Sequence, residues 1–115
     1  MKKIILIFVL LLSTIVAQAA TYRVKFDVGN QKETNFIVKV EPGRLTVDNK
    51  SYSLRRLGTI TNSGVEFNSY VYGRNEDGMF CVSTTSITLE LNMFKSYTGY
   101  VIIIDNKAYI AKKIN

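Results

Sequence analysis

The sequence predicts an all-β protein, a small antiparallel β-barrel or two-sheet β-sandwich of about eight or nine strands behind a cleaved signal peptide. Two observations carry the β assignment. Apolar residues recur at every second position in short stretches throughout residues 20–115, the period of a half-buried strand. Turn signals such as Gly29-Asn30, Pro42-Gly43, Asp48-Asn49 and Asp105-Asn106 separate these stretches. The connections are too short for the crossovers that parallel pairing requires, so neighbouring strands should pair antiparallel. Closure into a barrel would remove open edges and suits successive hairpins, which favours the barrel over the sandwich.

The leader comes first. Met1-Lys2-Lys3 is a positive start, residues 4–12 are an unbroken apolar run, and Ala17-Gln18-Ala19-Ala20 is a small-residue Ala-x-Ala stretch. Together they make the three parts of a secretory signal peptide. Residues 1–19 are therefore read as signal, with cleavage after Ala19 or Ala20, and residues 20–115 as a single domain. The apolar run is broken at Ser13-Thr14 and falls short of the roughly 20 residues a membrane helix needs. No stable membrane span is expected, and the expected location is secreted or periplasmic.

The strands follow in order. Tyr22, Val24, Phe26 and Val28 alternate with Arg23, Lys25 and Asp27, and Gly29-Asn30 ends that stretch. Residues 35–41 place Phe36, Val38 and Val40 on one face. Pro42-Gly43 then turns the chain, because Pro presets φ and Gly tolerates φ > 0. Residues 44–47 and 51–57 flank a tight hairpin at Asp48-Asn49-Lys50, and Thr59-Ile60-Thr61 can extend the second of them into the turn-rich residues 58–64. Residues 65–72 read as the clearest long strand, with Val65, Phe67 and Val71 inward and Glu66, Asn68, Tyr70 and Tyr72 outward.

Asn75-Glu76-Asp77-Gly78 closes a hairpin onto residues 79–84, with Gly78 at a left-handed position. Ile87, Leu89 and Leu91 alternate with Thr88, Glu90 and Asn92. Their alternation and β-branched content favour a strand over the short helix that Ile87, Leu91 and Phe94 would also allow. Residues 92–99 read as a looser connection, and Ser96-Tyr97-Thr98-Gly99-Tyr100 as a mobile loop that carries two aromatics. Residues 100–104 are apolar on both faces and should lie centrally. Asp105-Asn106 turns the chain into residues 107–114, a last strand that could offer an edge for pairing.

Composition excludes several chemistries. The chain has no histidine, which removes catalytic triads that need imidazole and His-based zinc sites. Cys81 is the only cysteine, so no disulfide can form within the chain, and its apolar neighbours Phe80 and Val82 suggest a small buried hydrophobe. No glycine-rich phosphate loop occurs. Catalysis, a cofactor and a metal site are not expected. Lys and Arg number 15 against 9 Asp and Glu; without Lys2 and Lys3 the balance is 13 against 9, a net charge of +4. Basic residues come at most in pairs such as Arg55-Arg56, short of a nucleic-acid footprint. Asn49-Lys50-Ser51 matches a glycosylation acceptor triplet.

The surface expected to bind is the outward stripe Glu66, Asn68, Tyr70, Tyr72 and Arg74, since tyrosine adds contact area and a hydrogen-bonding tip at small entropic cost. The leading expectation is an exported, non-catalytic, monomeric domain that binds a protein or glycan partner outside the cytoplasm. Two alternatives stand beside it: a carrier of a small apolar ligand in the barrel interior, and a self-assembling surface protein. Phe26, Phe36, Phe67 and Phe80 are expected to fill the interior, and a cavity of about 300 Å³ or more would favour the carrier.

Overall fold

The computed structural model describes residues 19–92 and 95–115, so the leader lies outside the described residues. Nine strands follow one another: β1 (Ala20–Asp27), β2 (Lys32–Glu41), β3 (Arg44–Val47), β4 (Lys50–Asn62), β5 (Val65–Tyr72), β6 (Gly78–Ser83), β7 (Ile87–Asn92), β8 (Lys95–Ile104) and β9 (Lys107–Lys113). No helix occurs among the described residues. The strand order is β6-β5-β4-β3-β2-β1-β9-β8-β7, and a further pairing of β6 with β8 joins the ends. Eight antiparallel strands therefore close into a barrel, and β7 is an extra strand outside the ring. Of the two architectures expected from the sequence, the barrel is the one formed.

Turn chemistry explains the meander. Asp48-Asn49, Ser63-Gly64 and Asp105-Asn106 each hold two successive residues at positive φ, the geometry whose twist matches that of paired strands. Asx and Gly residues tolerate it best. The connection after β5 departs from expectation. Its left-handed residues are Gly73 and Glu76, at φ 95° and 57°, and Gly78 is instead the first residue of β6. Gly78 serves a different purpose: a Cβ there would come within 2.4 Å of the Tyr72 ring. Glu76 is drawn out to Arg55, whose Nε and Nη2 donate to its carboxylate at 2.7 and 3.0 Å.

The interior is built from inward residues of most of the ring strands. Val24, Val38, Leu45, Phe80 and Ile102 are fully buried there. Phe36 packs against this cluster, while Phe26 and Phe67 are buried outside it, so the four phenylalanines do not share the lumen as expected. A bulge explains Phe26. Between Val24 and Phe26 the β1–β9 register slips, pairing Val24 with Ala111 and Phe26 with Ile110. Lys25 is the extra residue, and it flips Phe26 to the outer face and Asp27 towards the lumen.

β5 alternates as expected but with its faces exchanged. Asn68 and Tyr70 stand opposite Val82 and Phe80 on β6, and Tyr70 and Tyr72 pack against the interior cluster. Phe67, Ser69 and Val71 form the outer face. Both faces of this strand carry large apolar or aromatic groups, so alternation alone does not say which one is enclosed.

β8 is longer than its apolar centre. It begins at Lys95, so residues 95–99 are strand rather than a mobile loop. Its second half pairs with β6 and its first half with β7. Where β6 gives way to β7, the Ser83 hydroxyl fills the gap, accepting from Val101 N–H and donating to the Thr85 carbonyl, both at 2.9 Å. Ile102 is fully buried while Val101 and Ile103 are half-buried, which fits a central strand. β9 pairs with β1 on one side and β8 on the other, so it presents no edge. Cys81 is free and buried, its Sγ 3.8 Å from Ser69 Oγ on the outer face.

Candidate functional site: the open end of the barrel

One end of the barrel is shut by side chains. Tyr52 meets Tyr72 edge-on at 5.3 Å, Phe36 meets Tyr109 at 5.4 Å, and the Tyr72 hydroxyl donates to Asp105 Oδ2 at 2.5 Å. Asp105 also accepts from Met79 N–H at 3.0 Å, tying this corner to β6.

The other end is open. Where β1 begins and β2, β6 and β9 finish, a cavity of about 590 Å³ enters the lumen. Tyr22 of β1, Arg56 of β4, Asn68 and Tyr70 of β5, Tyr100 of β8 and Lys113 of β9 are among its walls. Each arrives there for a local reason. Tyr22 and Tyr100 occupy inward positions of strands that both pair with β9, and their rings meet edge-on at 5.6 Å. Tyr70 leans on Phe80, the rings 5.6 Å apart, which anchors its ring in the core and leaves its hydroxyl near the cavity. Arg56 stands opposite Tyr70 immediately before a second bulge, where β4 inserts Leu57 between Arg56 and Gly58. The Arg56 Nη2 donates to Asn68 Oδ1 at 3.0 Å, and the Lys113 ammonium lies 5.9 Å from the centre of the Tyr100 ring.

Electrostatics follows from this packing. Burial, then the neighbouring Tyr70 and Tyr100, push the Tyr22 hydroxyl up to about 12. Burial also raises Tyr70, against the opposing pull of the Arg56 guanidinium. Both phenols are therefore neutral at ordinary pH and can donate a hydrogen bond. Glu41 also lines the cavity but is engaged, accepting from Arg44 Nε and Nη2 at 3.1 and 3.0 Å. Among the described residues no three His, Cys, Asp or Glu side chains group to hold a metal ion, and no helix is long and apolar enough to cross a membrane.

The expected stripe is thus divided. Asn68 and Tyr70 line the cavity, Tyr72 belongs to the shut end, Glu66 is exposed, and Arg74 is exposed in the turn beyond β5. Tyr22, Arg56, Tyr100 and Lys113 were not grouped by sequence reasoning. The available signal was the inward placement of Tyr22 on an alternating strand, since a tyrosine in a barrel needs somewhere for its hydroxyl to go. No protein-family model, no curated protein and no solved structure matches this chain.

Proposed function

We propose that this protein is a non-catalytic binding protein that holds a small molecule in the open end of its barrel. The observation that carries this reading is the cavity of about 590 Å³, within the usual range for small-molecule sites of about 300–1,000 Å³. Its walls combine aromatic rings with a few convergent polar groups, which is how such sites divide affinity from orientation. They suit binding better than turnover: neutral phenols, two cations and a carboxylate already paired, in a chain without an imidazole to move protons. The signal-like pattern of residues 1–19 supports an exported setting, secreted or periplasmic, in keeping with a carrier or scavenger.

The cavity is favoured over the outward stripe as the binding surface because the stripe's two tyrosines are engaged in the barrel. Tyr70 leans its ring on Phe80, and Tyr72 is committed to the shut end.

The test is titration of the mature domain with phenylnaphthylamine, a neutral apolar fluorophore that brightens when water is excluded from it. Saturable brightening is expected from the native protein. The variant Asn68→Trp, which fills the cavity from its wall, should abolish it without lowering the thermal midpoint. Absence of brightening in the native protein, or its survival in a folded Asn68→Trp, overturns the reading.

A further inference from the structure

We infer that the guest is an organic anion, an apolar body whose acid group is received between Arg56 and Lys113. This rests on the binding reading above and names the class of molecule that the same cavity takes.

The charges of the lining make the argument. Three acidic or basic side chains line the cavity: Glu41, Arg56 and Lys113. Glu41 is neutralised by Arg44 in an ion pair at 3.0 Å. A second ion pair, Arg55 with Glu76, is exposed and ties β4 to the turn after β5, away from the cavity. Arg56 and Lys113 are therefore cations without a carboxylate partner among the described residues. An incoming acid group would supply the missing charge.

Their settings also favour that role. Arg56 is held by Asn68 at 3.0 Å through one Nη2–H and by a side-chain hydrogen bond with Tyr70, which together orient the guanidinium and leave some of its donors for a guest. A planar fork held in this way matches a carboxylate or sulfonate in two-point contact. Lys113 lies over the Tyr100 ring, 5.9 Å from its centre, and can move towards an anion at small cost. Tyr22 and Tyr70 add neutral hydroxyl donors, while the rings of Tyr22, Tyr70 and Tyr100 and the side chains of Val40, Leu54 and Val82 offer apolar surface for the remainder of the molecule. A cationic guest would meet two like charges and no free carboxylate among those groups.

The experiment compares two probes that share a body. Anilinonaphthalene sulfonate carries an acid group that phenylnaphthylamine lacks. The native protein should bind the sulfonate about tenfold more tightly, one charge-assisted contact's worth of discrimination, and the gap should narrow as salt is raised. Arg56→Gln should remove most of the gap and Lys113→Gln part of it, each read as the ratio of sulfonate to neutral-probe affinity within the same variant. Lys107→Gln, an exposed lysine of β9 that does not line the cavity, should change nothing. Equal or weaker binding of the sulfonate overturns the anion inference and leaves the cavity reading standing. So does a loss in Lys107→Gln as large as in Arg56→Gln, which would reveal general charge attraction. Failure of both probes removes the cavity reading and the anion with it.

Discussion

Tyr97 lies stacked on Phe26, ring centroids 4.5 Å apart and planes 23° apart, although β8 and β1 share no backbone pairing. The first half of β8, with β7 beside it, folds across the outer wall of the barrel to make this contact. The Tyr97 hydroxyl reaches Glu33 of β2 at 3.4 Å. Beneath it Phe26 and Ile110, turned outward from the lumen, are 5 % and 2 % exposed. The hairpin thus covers apolar surface that the bulge at Lys25 would otherwise leave in water.

Removing the covering ring tests this directly. Tyr97→Ala should cost about 2 kcal/mol, the aromatic pair plus part of the burial it shields. Tyr97→Phe should cost about 0.5 kcal/mol or less, since only a long, exposed hydroxyl contact is lost. Urea titration of both variants checks the contrast, and equal losses would show that the ring is not what matters.

Gly99 permits the crossing. A Cβ there would lie 2.4 Å from the Ala111 carbonyl oxygen and 3.2 Å from Ile110 Cγ2. The first of these is backbone and cannot move aside on its own. Gly99→Ala should therefore cost about 1–3 kcal/mol, as overpacking usually does. Urea titration should show the loss, and the Tyr97–Phe26 stack should loosen with it, visible as weakened near-ultraviolet dichroism. An unchanged spectrum and midpoint would contradict the close approach.

Tyr70 and Tyr72 are neighbours in sequence pattern but not in role. Tyr72→Ala should destabilise the fold by about 3–4 kcal/mol, because it empties packed space at the shut end. Tyr72→Phe should cost about 1 kcal/mol for the lost hydrogen bond to Asp105. Tyr70→Phe should leave stability nearly intact and alter probe binding in the cavity. Denaturant midpoints and fluorescence titration separate the two positions.

Alkali should expose the buried phenols late. Tyr22 and Tyr72 are both pushed up to about 12, in each case chiefly by burial, with the Asp105 hydrogen bond and charge adding to it at Tyr72. The fold favours their protonated forms, so their contribution to stability is fully present below pH 10, the ordinary tyrosine value. It fades as pH rises through about 12. Tyrosinate absorbance should therefore grow in two stages, the second coincident with loss of the β-sheet dichroism. A single wave at the ordinary value, with the sheet intact, would contradict the burial of these hydroxyls.

Much of the fold was legible because its signals are local. Alternation marked the strands, and pairs such as Asp48-Asn49 and Asp105-Asn106 marked the turns. What was not legible depends on contacts made at a distance. Lys25 looks like any outward residue of an alternating strand, yet as a bulge it reverses the sides of Phe26 and Asp27. In residues 65–72 the hydroxyls of the tyrosines point to a solvent face, but the lumen has an open mouth where a hydroxyl can be satisfied. Residues 95–99 resemble a loop in their small and polar groups. They are strand because they cross another wall, with Gly99 at the crossing. Asn68 and Tyr70 were singled out from their own strand. Their partners Tyr22, Arg56, Tyr100 and Lys113 join them only when the β1–β9 and β6–β8 seams close.

That seam between β1 and β9 joins the earliest-made strand of the ring to the latest. Hairpins from β1 through β6 can zip as soon as they are synthesised, but the cylinder stays an unrolled sheet until β9 is present. Closing so long a loop is the slow kind of contact. Barrel closure therefore waits for β9, and the mouth of the barrel comes into being only at that last step.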